Sequence, residues 1–167
     1  MAEIKLPLDA AIVNTHELHG KFAISNEHGL VLIGFYPNAG EEHLHAIEFH
    51  LDGEHQFKME HMPGKDGAGW PRYFDQGFAL DVRRVAVTML DAGKFQNGAT
   101  VEAGDLFVYD GSTYLIGQPE DPRQGNGINL DTKAVRHISH GDGYVVKKWR
   151  IDAYGPHDQI VLSFGVS

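Results

Sequence analysis

Asp110-Gly111 stands between two runs of β-forming residues, Leu106-Phe107-Val108-Tyr109 and Ser112-Thr113-Tyr114-Leu115-Ile116. A two-residue type I′ turn needs positive φ at both central positions, and Asp-Gly supplies it with little strain. The spacing therefore predicts an antiparallel hairpin over residues 106–116.

The same grammar recurs along the chain. Phe22-Ala23-Ile24 and Leu30-Val31-Leu32-Ile33-Gly34-Phe35-Tyr36 flank Asn26-Glu27-His28-Gly29, a second hairpin. Residues 43–51 alternate, with His43, His45, Ile47, Phe49 and Leu51 on one face and Leu44, Ala46, Glu48 and His50 on the other. Asp52-Gly53 then turns the chain, and Gln56-Phe57-Lys58-Met59 returns antiparallel. Ala134-Val135-Arg136-His137-Ile138 and residues 144–151 flank His140-Gly141-Asp142-Gly143, a further predicted hairpin. Residues 159–164 form a last strand, and residues 1–13 an extended arm or an edge strand.

Residues 78–92 admit two readings. Val82, Val85, Ala86, Met89 and Leu90 fall on one helical face, with Gly93 placed to cap it. Leu80 and Val82, then Val85, Val87 and Met89, also alternate as a strand whose phase slips at Arg83-Arg84, as a bulge would make it. The helix is the preferred expectation, although Val and Thr are poor helix formers.

The 8–12-residue spacing of strands and turns predicts a mainly β fold, an antiparallel sandwich or barrel with one helix near residues 79–92. A chain of 167 residues with 42% hydrophobic content and no linker is expected to form a single domain over residues 1–167.

The chain has no Cys, which removes disulfides, thiolate metal sites and cysteine nucleophiles. No apolar run approaches the ~20 residues that span a bilayer, and the first residues lack the pattern of a signal peptide. No membrane partner is expected. A net charge of −9, with scattered acids, disfavours nucleic acid, whose phosphates need a basic footprint. The one basic cluster with an aromatic, Lys147-Lys148-Trp149-Arg150, reads as a charged strand edge that blocks aggregation.

Among the 11 His residues, His43 and His45 share a strand face roughly 6.5–7 Å apart and could ligate one divalent metal, with Glu48 adding a carboxylate. The His-x-His followed by an acid loosely resembles the first metal motif of cupins. Cupins leave three or four residues before the acid, however, and here only Ala46-Ile47 intervene. A second motif is missing. The plainer alternative is two polar side chains on a strand, and the remaining His residues, His50 among them, are expected in solvent. No G-x-S-x-G, Walker A, H-E-x-x-H or G-x-G-x-x-G pattern occurs. The Gly/Pro-rich stretch over residues 61–77 carries Trp70, Tyr73 and Phe74, which serve either as a lid on the core or as a partner-contact surface.

Gly104-Asp105, Asp110-Gly111, Tyr114 and Asn129-Leu130-Asp131-Thr132 together resemble a module of small bacteriophage and prophage proteins. Head–tail joining proteins of tailed phages carry a comparable Gly-Asp hairpin. The resemblance covers residues 101–132. It implies a phage-encoded viral protein built for contacts, and it transfers no functional residue.

The leading expectation is thus a non-enzymatic phage or prophage protein without cofactor, in the bacterial cytoplasm or in the virion. It would act through a protein partner or as a homo-oligomer, as a structural component or a host-factor inhibitor. The alternative is a cupin-like barrel that binds one divalent metal or a small molecule through His43, His45 and Glu48.

Overall fold

A computed structural model describes residues 12–13, 20–25, 29–35, 46–61, 77–91, 93–94, 101–120, 125–138 and 143–166. These residues form strands and turns, with no helix and no closed barrel among them, so the mainly β, sandwich-like expectation holds. No described helix is long and apolar enough to cross a membrane.

Three sheets contribute to one main core, and Phe107, Tyr114 and Ile116 form a smaller second cluster. The first runs, in hydrogen-bonded order, β1 (Ile12–Val13), β6 (Gly77–Leu80), β2 (Phe22–Ser25), β3 (Gly29–Phe35), β4 (Ala46–His50), β5 (Lys58–His61) and β11 (Gln118–Pro119). Every pairing in it is antiparallel except β5 with β11. The second runs β13 (Val135–Arg136), β12 (Gly127–Asn129), β10 (Ser112–Ile116), β9 (Leu106–Tyr109), β14 (Tyr144–Val146) and β8 (Gly93–Lys94). The third runs β16 (Ile160–Val166), β15 (Trp149–Tyr154) and β7 (Arg84–Met89).

The core takes alternate residues from each sheet. Phe22, Leu30, Leu32, Ile47, Phe49 and Met59 come from the first; Leu106, Leu115, Ile128 and Val146 from the second; Trp149, Ile151, Leu162 and Phe164 from the third. Trp149 sits at the junction, its ring 5.9 Å from that of Phe164 and 6.1 Å from that of Phe57. Burying so many large apolar side chains is the main force holding the sheets together.

The hairpin at Asp110-Gly111 forms as its turn chemistry requires, with φ of 49° and 77° at the two central residues and Ser112 opposite Tyr109. The β2–β3 and β4–β5 pairs also match the sequence expectation, and β1 pairs as a strand with β6.

Two expectations are corrected. The first is the helix over residues 79–92. Leu80 ends β6 in the first sheet, and the chain crosses at residues 81–83 to β7 in the third. There Val85, Val87 and Met89 lie opposite Ala153, Ile151 and Trp149. The phase slip that imitated a helical period is this change of sheet, and the β-branched Val85, Val87 and Thr88 favour the strand after it. The second is the hairpin around His140-Gly143, whose two arms do not pair. β13 closes on β12, and β14 pairs with β9 and β8. Asn129 explains the choice: its Oδ1 accepts from the N–H groups of Asp131 (2.8 Å) and Thr132 (3.1 Å), which reverses the chain straight after β12.

Candidate cation site

β4 alternates cleanly. Ile47 and Phe49 face the common core, so Glu48 and His50 project from the opposite face of the sheet. On β5, Met59 faces the core and Glu60 the other way. The register sets Glu48 directly across from Glu60, and on the far side it sets Ile33 across from Glu48 and Val31 across from His50. Val31 and Ile33 are fully buried. The polar groups therefore stand beside apolar neighbours on a face from which water is largely excluded.

The connecting turn is tightly held. Phe57 N–H donates to the His50 carbonyl at 2.7 Å, Lys58 N–H to the His55 carbonyl at 3.0 Å, and Gln56 Nε2 to the Leu51 carbonyl at 3.1 Å. Gly53 and Phe57 supply the positive φ values, 79° and 69°, that let so short a connection close. Asp52 ties the turn to β3 by accepting the Leu30 N–H at 3.0 Å. Burial raises its carboxyl above the usual range, against the lowering effect of that hydrogen bond.

This scaffold brings together one donor atom each from Glu48, His50 and Glu60, all within 4.8 Å of one another. Glu48 and His50 are 7% and 1% exposed, and the Glu60 side chain is 26% exposed. His50 Nε2 lies 3.8 Å from Glu60 Oε2, and Lys58 Nζ lies 3.1 Å from the other Glu60 oxygen. The His55 ring stands 6.5 Å from that of His50, inclined at 62°.

Two carboxylates directly opposite one another on adjacent strands repel. A cation held between them relieves that repulsion; among the described residues the Lys58 ammonium already stands 3.1 Å from a Glu60 oxygen, and a metal ion would act in the same way. One imidazole and two carboxylates form a mixed nitrogen–oxygen donor set of the kind that suits first-row divalent ions.

Of the residues expected from the sequence to bind metal, only Glu48 is in this cluster. His43 and His45 lie outside the described residues, as do the expected contact residues Trp70, Tyr73 and Phe74. His50, expected in solvent, is buried. Its signal was its place two residues after Glu48 on one strand face, with Glu60 brought opposite by the Asp52-Gly53 turn.

The Gly-Asp and Asn-Leu-Asp-Thr motifs have structural work instead. Gly104 adopts φ of 94° beneath the Phe57 ring, and Asp105 accepts from the Glu102 N–H at 2.8 Å and from Lys147 Nζ at 2.7 Å. Tyr114 accepts from Arg136 through its hydroxyl at 3.0 Å. Trp149 is core rather than part of a charged edge, and β15, which begins at it, is the central strand of its sheet.

Compared with protein-family models, curated proteins and solved structures, the chain has no significant match.

Proposed function

We propose that the chain is a metal-binding β-sandwich protein in which Glu48, His50 and Glu60 hold one divalent cation between β4 and β5. The observation that carries this is the convergence of three donors within 4.8 Å on a face where two of them are nearly inaccessible to water. A divalent ion relieves the Glu48–Glu60 repulsion and ties neighbouring strands together. The imidazole favours Mn²⁺, Fe²⁺, Co²⁺ or Zn²⁺ over Mg²⁺ and Ca²⁺, which prefer all-oxygen shells.

Native mass spectrometry of the chelator-treated full chain, with and without added Zn²⁺ or Mn²⁺, tests the proposal. One ion per chain is expected, lost in Glu60→Gln and in His50→Ala. A wild-type chain that takes up no ion overturns the proposal.

A second reading is a phage or prophage protein that acts through protein contacts, in the bacterial cytoplasm or the virion. It draws on the resemblance of residues 101–132 and on exposed apolar side chains at Met89, Leu90, Tyr109, Tyr144 and Ile160. It predicts a closed homo-oligomer or a stable heterocomplex. A monomer at all concentrations that captures no host protein counts against it.

A further inference from the structure

His55 lies outside the three-donor cluster, yet it is an exposed imidazole at the rim. Its backbone is fixed by the turn: its carbonyl accepts from Lys58 N–H at 3.0 Å, and two residues later Phe57 N–H returns to the His50 carbonyl at 2.7 Å. Its side chain has no such fixture among the described hydrogen bonds. The His50 and His55 rings are 6.5 Å apart between centroids and inclined at 62°. Two imidazoles on one tetrahedral ion, with metal–nitrogen distances of about 2.0–2.1 Å, have centroids roughly 5 Å apart. The observed separation exceeds this by roughly 1.5 Å, a shift on the scale of a change of side-chain rotamer.

We infer that His55 is the mobile fourth donor of the cation site, swinging inward when the metal binds. This rests on the metal-binding reading proposed above and deepens it. With His55 the shell becomes two imidazoles and two carboxylates, and the ligand class narrows to ions that accept four-coordination, Zn²⁺ and Co²⁺ foremost. The inner three residues recognise charge; the outer one sets coordination number and closes the site to solvent.

The test uses Co²⁺, whose visible bands are intense in a four-coordinate site and weak in a six-coordinate one. The full chain is stripped with chelator and titrated with Co²⁺ as wild type, His55→Ala and Glu60→Gln, with circular dichroism confirming the fold of each. The expected result is intense bands in wild type, with weaker bands and at least about tenfold poorer affinity in His55→Ala, the scale on which even supporting groups around a metal act. Binding with equal affinity and identical bands in wild type and His55→Ala overturns the role of His55 and leaves the three-residue site standing. Wild type without any Co²⁺ uptake overturns both. Weak six-coordinate bands in wild type also overturn the fourth-donor assignment.

Discussion

The indole Nε1 of Trp149 donates to the carbonyl of Gly104 at 2.8 Å, inside the core. This bond joins the first residue of β15 to the segment that leads into β9, and so fastens the third sheet to the second. Trp149→Phe removes the donor to a buried carbonyl and leaves a void beside Phe57 and Phe164. A loss of about 2–4 kcal/mol in stability is expected from urea unfolding.

Gly104 is constrained from two directions. Its φ of 94° disfavours any side chain, and a Cβ would meet the Phe57 ring at 2.8 Å. Gly104→Ala should destabilise by roughly 2–4 kcal/mol, combining backbone strain with overpacking. Adding Phe57→Leu should show positive coupling by relieving the clash but not the strain. Strict additivity in that double-mutant cycle would remove the steric part of the explanation.

The proposed site implies that Lys58 competes with the cation at Glu60, since its ammonium lies 3.1 Å from a Glu60 oxygen while the Lys58 side chain is itself 42% exposed. Lys58→Met should therefore tighten metal binding. Exposed ion pairs contribute up to about 1 kcal/mol, which corresponds to about two- to fivefold in affinity. The gain should shrink in high salt. Calorimetric titration at two ionic strengths checks it, and unchanged or weaker binding refutes the competition.

Asp52 yields a pH dependence. Its folded-state carboxyl is raised above the ordinary 3.8 by burial, with the Leu30 N–H pulling the other way. In the window between 3.8 and the raised value, the folded chain holds more protons than the unfolded one. Stability from this site therefore falls as pH rises through the window, and the penalty is complete above it. Asp52→Asn keeps an acceptor for Leu30 and removes the charge. The variant should equal or exceed wild type in stability at neutral pH, with the margin vanishing in acid. Urea midpoints at neutral pH and below pH 3.8 give the comparison, and a margin that widens in acid contradicts it.

Much of the sheet structure was legible because short-range turn chemistry decides it. Asp110-Gly111 and Asp52-Gly53 each specify a reversal within a few residues, and the strands around them follow. The misread parts depend on distant partners. Val85 and Met89 satisfy a helical period and a strand period alike, and only their positions opposite Ala153 and Trp149 select the strand. His50 looked like a surface residue because a lone histidine carries no mark of burial. The face it shares with Glu48 could be read from alternation, but not that this face is buried beside Val31 and Ile33. The cross-strand match of Glu48 with Glu60 required the β4–β5 register, which a one-residue slip would have destroyed.

The pairing of β7 with β15 has a consequence for how the chain is made. Met89 finds its partner, Trp149, about sixty residues later, and β7 has no other strand partner among the described residues. At about 5–20 residues per second, synthesis leaves β7 waiting roughly 3–12 s on the ribosome with Val85 and Val87 uncovered. The guanidinium groups of Arg83 and Arg84, at the head of the strand, are suited to discourage unwanted pairing during that interval. A nascent chain arrested before residue 149 would leave β7 with neither side paired, so an interruption late in translation would be felt at a strand made long before it.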